Sequence, residues 1–544
     1  MKKNKFVEGT IFAYAMILIT KVIGALYVIP FYKIIGTSGG VLYSYAYSVY
    51  NFFLDISTSG VPTAVSIIIA EYNSLKMFNE REYAFKVANK LVTVISFIAF
   101  LVMFLFAEPL ARFFIKDIQA DVSIASIVLV IRVISFCLLI IPFLSVLRGY
   151  LQGNKFVSAS SSSQLIEQLV RVFIALVGSY VAINVLQLNI PTGVSIALSG
   201  TVLGGLAAYL FLRGKIRRNK EQFEEGVTSP EDSTVTAKEI MKKIISRAVP
   251  VIIIAATQNI YGMIDLKLII KGLHMIGYDA DTCQLLGSIV VTWAPKICMI
   301  INSIAISMCL SIIPFIVNSY VQNEKKELNK KFNQAVNTIL YISIPLAFFI
   351  YAFGKQIYFI FYGSSPYGGN VLALNALVSV FFCLQMVMDM ILQGMKNYDI
   401  VYMNTVVGLA INAVLDVPMI LLLNHWGLNP YLGSMVATLI GLIVSIGIIM
   451  IGIKKRFGFN YNSIVRNLIK ILFAVIIMTV LIVVLKLVMP ATTTFMSTFM
   501  ILALFGVLAI GLYVFITYKM GTMNDILGED FIEKIVSKFK PKKI

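Results

Sequence analysis

Long apolar runs and short polar breaks alternate along nearly the whole chain. Fourteen runs stand out, at about 9–32, 41–70, 84–107, 121–148, 157–183, 193–213, 244–270, 283–318, 332–353, 371–394, 399–423, 431–453, 465–488 and 495–518. An apolar run of about 20 residues crosses the hydrocarbon core of a bilayer. The runs are continuously apolar rather than alternating residue by residue, so they predict helices and not an outer-membrane barrel. The expected fold class is all-α: a polytopic membrane protein of fourteen transmembrane helices.

The runs repeat. Leu151-Gln152-Gly153-Asn154-Lys155 closes one run and Leu392-Gln393-Gly394-Met395-Lys396 closes another, 241 residues later. Ile67-Ile68 with Asn73-Ser74 recurs as Ile312-Ile313 with Asn318-Ser319, at an offset of 245. Two matches at nearly one spacing point to a duplicated half. The organisation read from this is a first six-helix lobe over 1–213, a cytosolic linker over 214–243 and a second pseudo-repeated six-helix lobe over 244–453. Two further C-terminal helices occupy 454–518, without a repeat partner, and a tail covers 519–544.

Within the linker, Glu224-Glu225-Gly226 and Ser229-Pro230-Glu231-Asp232 are acidic and turn-prone, which predicts flexibility. Thr236 with Glu239 offers a capping box that starts the helix of span 7. In the tail, Leu527, Phe531, Ile535 and Phe539 lie four apart beside Lys534, Lys538 and Lys540, predicting an amphipathic helix on the anionic inner leaflet.

Composition agrees: 59% of residues are hydrophobic and 13% charged, which excludes a soluble enzyme. The net charge of +18 would suit nucleic acid only if it were clustered on soluble modules, but the basic residues sit between apolar runs. No nucleic-acid partner is expected. With the N-terminus and every second loop on one side, that side collects 34 of the 45 Lys and Arg residues. Lys33, Arg112, Lys116, Lys271 and Lys355 fall on the other, so both termini are expected in the cytoplasm of a bacterium whose plasma membrane holds the protein. The basic start Met1-Lys2-Lys3-Asn4-Lys5 leads into a run too long for a signal peptide, and is read as a retained first span. The five cysteines lack ligand-like spacing and read as small core residues. His274 and His425 lie near predicted loops, and Asp279 with Asp281 sits on a short outer loop. Nothing there supports a membrane glycosyltransferase or acyltransferase, so no enzyme is expected.

Ionisable residues inside spans are costly and normally face a partner or a wet cavity. Glu167 and Arg171, four apart on span 5, have the spacing of an intrahelical ion pair. Asp389, Lys267 and Lys486 lie near span ends, where side chains reach the interface. Arg132, in the outer part of span 4, either pairs or lines a cavity. Lys21 sits near the centre of span 1 with no acidic residue within a turn, Asp55 lies mid-span 2 before Ser59-Gly60-Val61-Pro62, and Lys296 follows the helix-loosening Pro295. Cations from both halves would suit an anionic headgroup, above all a diphosphate. Alternatively, Lys21 pairs with Asp55 across spans 1 and 2.

Thr20-Lys21-Val22-Ile23-Gly24, the turn Gly36-Thr37-Ser38-Gly39-Gly40 and Gly60-Val61-Pro62 resemble the multidrug/oligosaccharidyl-lipid/polysaccharide exporter superfamily. Within it, fourteen spans and the two LQG-x-K ends look most like the lipid II flippases of the MurJ type, in the branch with stage V sporulation protein B-like proteins. The resemblance implies two six-helix lobes around a central cavity, alternating access, and a groove for a polyprenyl tail formed by spans 13 and 14. The implied partners are lipid II and membrane lipids, with the protein expected to be a monomer. Lys21 matches the family's basic residue in span 1, and Lys296 falls close to that in span 8. The chain departs from the pattern at Tyr27 and around Leu54-Asp55, where the better-known members carry arginines. That leaves room for another polyprenyl-linked glycan, and a multidrug or cation antiporter of the same superfamily is the further alternative.

Counted from span ends at roughly 1.5 Å per residue, Asp265, Asn412, Asp416 and Thr438 lie at comparable depth in the outer half of the membrane. Their hard oxygen donors suit sodium or carry a proton. Asp265 and Asn412/Asp416 resemble the sodium site of the lipid II flippase family, so sodium is the expected coupling ion and no organic cofactor is expected. Otherwise Asp265 pairs with a lysine and Asp416 hydrogen-bonds near the Pro418 kink.

Overall fold

The structure is a computed structural model that describes residues 16, 19–115, 122–224, 226–228, 234–310, 312–488 and 494–527, with the side chains of 304–310 and 314 excepted. Among these residues all regular structure is helical. Twelve helical stretches are long and apolar enough to cross a membrane. That is compatible with fourteen spans. Ile19–Ser74, at 56 residues, holds spans 1 and 2 as one stretch, and the 39-residue helix Ala237–Met275 carries span 7. The protein is a multi-pass membrane protein.

The chain forms two compact units, Met1–Ser288 and Ile289–Ile544. The division falls inside span 8, where a π-helical turn begins at Ile289, and not in the polar stretch 214–243.

In the first unit, Gly36 takes φ 65° and ψ −170° and bends the helix Val28–Thr58, so that span 1 gives way to span 2. Span 2 breaks at Gly60, at φ 75°, and resumes as Val61–Ser74 with Pro62 in its first turn. A side chain there would be strained, and its Cβ would meet the Ala248 carbonyl oxygen of span 7 at 3.1 Å. Span 4 is also interrupted: a 3-10 turn, Phe136–Leu139, separates Ile124–Ser135 from Ile141–Gly153, whose first turn contains Pro142. Cys137, Cys283, Cys298 and Cys383 are free and buried.

The stretch expected to be a flexible linker is largely docked where it is described. Span 6 runs on to Arg218, and a short helix, Lys220–Glu224, follows. Phe223 is buried and packs its ring 5.6 Å from Tyr150 and 5.0 Å from Phe156. Arg81 donates to its carbonyl oxygen. Thr228 accepts from Asn79 and Thr234 donates to Glu80, both at 2.9 Å. One aromatic side chain with a long-range aromatic pocket outweighs the acidic composition around it. The capping box forms as expected: Thr236 N–H donates to Glu239 at 3.0 Å and Glu239 N–H to Thr236 at 3.3 Å. The amphipathic helix expected beyond Leu527 lies outside the described residues.

Duplication is written in the backbone. Lys155 and Lys396, 241 residues apart, both adopt positive φ, at 68° and 58°. The residue after each closes the same six-residue turn, Phe156 N–H to Leu151 O and Asn397 N–H to Leu392 O, both at 2.8 Å. Lys76 and Asn323 form a second such pair, at 58° and 56°, with Met77 N–H to Tyr72 O and Glu324 N–H to Ser319 O both at 2.9 Å. These are helix C-terminal motifs whose 6→1 bonds satisfy orphan carbonyls. The second pair sets an offset of 247, two more than the apolar words suggested. A short helix after the next span in each half, Ala107–Ile115 and Gly354–Tyr362, keeps that offset.

In the second unit, spans 13 (Asn462–Leu487) and 14 (Phe495–Lys519) attach to span 9 (Lys325–Ala352). Tyr513 donates to the Tyr341 carbonyl at 2.9 Å, and the Tyr341 and Thr517 hydroxyls are 3.0 Å apart.

Candidate functional site

The first unit holds a polar cluster among spans 1, 2, 5 and 7. Lys21 is exposed and stands three residues before Gly24, so these two are neighbours on one helical face. At Gly24 span 1 meets span 5, where an added Cβ would sit 3.2 Å from Gln168 Nε2. The Tyr27 and Tyr43 hydroxyls are 3.5 Å apart, and Tyr43 stacks on Tyr47 at 5.2 Å. Arg171 lies within electrostatic reach of Tyr27, Tyr43, Tyr47 and Glu167, and donates to Gln168. Asp55 accepts from Ser59 at 2.8 Å and from Asn259 of span 7 at 2.6 Å. The alternative ion pair between Lys21 and Asp55 is not formed among the described residues.

The expected Glu167–Arg171 ion pair is also not the one that forms. Glu167 instead takes Arg148 of span 4 at 2.8 Å, while Arg148 Nε donates to Ser163 at 2.9 Å. A guanidinium arriving from a neighbouring span makes a fork that the i,i+4 arginine does not. Arg171 donates instead to Gln168 and sits among the tyrosines, with Glu167 within electrostatic reach. Arg132 is exposed, with its guanidinium carbon 5.5 Å from the centre of the Phe104 ring. Asp265 is buried in the same unit.

In the second unit Lys296 stands just after the π turn Ile289–Trp293, with its ammonium 4.4 Å from the centre of the Trp293 ring. Tyr362 packs edge-on against that ring at 5.4 Å and donates to the Trp293 backbone carbonyl at 2.9 Å. π turns of this kind re-aim the side chains that follow them.

Spans 11 and 12 bring Asn412 and Thr438 together, the amide donating to the hydroxyl at 2.9 Å. Asp416, one turn on, faces Ser434 of span 12. Asn412 and Asp416 are fully buried, and Asn412 Oδ1, both Asp416 oxygens and the Ser434 hydroxyl lack a well-formed hydrogen bond. Buried amide, carboxylate and hydroxyl oxygens so poorly bonded to one another fit a hard monovalent cation. No group of three or more His, Cys, Asp or Glu gathers among the described residues, so the donors are amide, hydroxyl and carboxylate oxygens. Lys21 and Asp265 belong to one unit, and Lys296 and the Asn412–Asp416–Thr438 group to the other.

The second unit also carries an apolar groove of about 480 Å³, lined by Phe348 of span 9 and by Leu472, Ile476, Val480 and Val484 of span 13. Beyond the groove, a separate pocket of about 500 Å³ takes in Tyr351 of span 9 and Lys486 of span 13, together with Lys355, Asn370 and Asn429. Sequence reasoning missed Arg148, Gln168, Asn259 and Ser434. Arg148 was readable as a charge beside the LQG ending; the other three are ordinary polar residues that only packing singles out.

The profile of the family described as "Polysaccharide biosynthesis protein" matches residues 6–319, more than half of the chain, and the MatE profile matches residues 288–417. The chain is 28% identical over 537 residues to "Lipid II flippase MurJ" of Bacillus subtilis (strain 168), covering 96% of this chain and 97% of that protein. Among solved structures, "Lipid II flippase MurJ, inward closed conformation" superposes with a TM-score of 0.65 at 14% identity, covering 94% of this chain and 99% of that one. A multidrug resistance MATE family transporter of the MOP superfamily, in an inward-facing conformation, reaches the same TM-score at 15% identity, covering 82% of this chain and 98% of its own. The two solved structures share this fold, and the profile over residues 6–319 places the chain in the polysaccharide biosynthesis protein family.

Proposed function

We propose that this chain is a lipid II flippase of a bacterial cytoplasmic membrane, moving the undecaprenyl-diphosphate-linked peptidoglycan precursor from the inner to the outer leaflet by alternating access. The observation that carries the reading is the end-to-end similarity to a lipid II flippase, which spans 96% of this chain and so includes spans 13 and 14. The work is transport, with no bond of the substrate made or broken. The protein acts as a monomer with both termini in the cytoplasm.

Each unit offers a cation to a diphosphate: exposed Lys21 in the first, and Lys296 over Trp293 in the second. Arg171 offsets the arginine missing at Tyr27, because it acts on that tyrosine's hydroxyl from span 5. The groove along Leu472–Val484 takes part of the polyprenyl tail; its lining comes from spans 9 and 13, with none from span 14. Asn412, Asp416, Ser434 and Thr438 hold the coupling ion. Sodium bound there supplies the counter-charge to the Asp416 carboxylate, and so biases one packing of spans 11 and 12.

A second reading, a flippase for another polyprenyl-linked glycan, draws on the departures at Tyr27 and Leu54-Asp55. Purified protein in proteoliposomes, with labelled lipid II and a second labelled glycan lipid offered separately, distinguishes the two. Lipid II is expected to change leaflet. Lys21→Ala and Lys296→Ala are expected to abolish the movement while inserting normally, and Lys21→Arg to retain it. Movement of only the second lipid would overturn the lipid II reading.

A further inference from the structure

One duplicated position has changed its chemistry between the halves. Arg148 stands three residues before Leu151-Gln152-Gly153, and Asp389 stands three before Leu392-Gln393-Gly394. Each is bonded to the side chain 15 residues further on: Arg148 Nε donates to Ser163 at 2.9 Å, and Asn404 Nδ2 donates to Asp389 Oδ1 at 2.9 Å. Four residues beyond Ser163, Glu167 neutralises Arg148 at 2.8 Å. The same step from Asn404 lands on Gly408, which has no side chain. Its space belongs to Ser445, whose hydroxyl would lie 2.1 Å from a Cβ at Gly408.

Asp389 is therefore an acid where the first half has a base, and the position of its counter-ion is empty of side chain. It is 2% exposed, and Oδ2 makes no hydrogen bond. Among the described residues no charged side chain acts on it, and Asn404 is its polar neighbour. Of the charged groups nearest along spans 11 and 12, Asp399 and Arg456 neutralise each other at 2.9 Å. An isolated carboxylate in so dry a place is strongly disfavoured as an ion.

A metal cation does not fit, because it needs several free oxygens. Asp389 Oδ1 already accepts from Asn404, Asn404 Oδ1 accepts from Gln385 at 2.9 Å, and the Asn404 carbonyl accepts from Ser445 at 2.9 Å. Only Oδ2 is open, and one open oxygen takes one proton.

We propose that Asp389 is a proton-binding site of the second unit, distinct from the Asn412–Asp416 group, whose occupancy controls the packing of spans 10, 11 and 12 at their Gly394 end. With Oδ2 protonated the acid is neutral, and the chain Gln385–Asn404–Asp389 with Ser445 ties the three spans together. When the Oδ2–H bond breaks, the proton passes to water and the electron pair stays on the carboxylate. That charge needs hydration, so its release favours a packing in which the ends of spans 10 and 11 part.

Infrared difference spectroscopy of the full chain in nanodiscs, between pH 5 and pH 9 without sodium, tests this. A protonated-carboxyl stretch should be lost as pH rises in the wild type, be missing from Asp389→Asn and persist in Asp416→Asn. Hydrogen exchange around 389–404, corrected for intrinsic rate, should quicken at pH 9 in the wild type and stay slow in Asp389→Asn, which keeps shape and one acceptor. A titrating band unchanged in Asp389→Asn, or wild-type exchange equal at the two pH values, would overturn the proposal. Neither readout depends on which lipid is carried.

Discussion

Both carboxylate oxygens of Asp416 are buried without a well-formed hydrogen bond, in a segment where water is scarce. Such a group is expensive unless a cation or a proton completes it. A ligand that binds only the folded state stabilises it by about 2.7 kcal/mol at a hundredfold excess over Kd, so sodium should raise the thermal midpoint of the purified protein at constant ionic strength. Asp416→Asn removes the charge but keeps the shape, and should abolish the rise. An unchanged sodium response in Asp416→Asn would sink the ion site. Asn412 and Asp416 were legible in the sequence because residues four apart share a helical face. Ser434 was not, since its meaning comes from facing Asp416 across two spans. The Glu167 pairing was misread for a related reason: local spacing favoured Arg171, while Arg148 reaches the carboxylate from span 4 at 2.8 Å.

Elements were easier to read than their contacts. The break at Ser59-Gly60-Val61-Pro62, the capping box at Thr236 and the loosening of span 8 beside Pro295, where a π turn ends at Trp293, were all written locally, in glycine, proline and the Thr-x-x-Glu spacing. The docking of 219–228 was not, because it rests on one residue, Phe223, and on rings of Tyr150 and Phe156 about 70 residues away. Truncating a buried phenylalanine typically costs about 3–5 kcal/mol, which here falls on a single short element. Phe223→Ala should therefore release the segment: limited proteolysis between 218 and 236 should accelerate strongly, while the thermal midpoint of the membrane core moves little. Equal protection of both proteins from protease would show that the Asn79–Thr228 and Glu80–Thr234 bonds hold the segment unaided.

At the scale of the molecule, the number of crossings and the side on which each loop emerges are one question. Twelve helical stretches qualify as spans by length and composition, yet fourteen crossings are needed to put all the strongly basic loops on one side. The difference lies in Ile19–Ser74 and in Ala237–Met275. At roughly 1.5 Å per residue, the 39-residue helix Ala237–Met275 extends about 58 Å, nearly twice a hydrocarbon core of about 30 Å. It is long enough to span the membrane and still carry its Lys242-Lys243 end beyond it, where Lys243 pairs with Glu71 at 3.0 Å. Parity makes this testable. Between Asn189, ahead of span 6, and Trp426, after span 11, there are six crossings if Ala237–Met275 crosses once and five if it does not. Six put both positions on one face, and five put them on opposite faces. Cys137, Cys283, Cys298 and Cys383 are buried, which gives a quiet background once Cys309 is replaced by serine. Single cysteines at Asn189 and Trp426 should then react with an impermeant thiol reagent added to intact cells. Cysteines at Gln222 and Lys396 should react only after the membrane is permeabilised, because the positive-inside rule assigns those loops to the cytoplasm. Labelling of Asn189 and Trp426 from opposite sides would remove span 7 from the membrane, and with it the six-plus-six organisation on which a rocking mechanism depends.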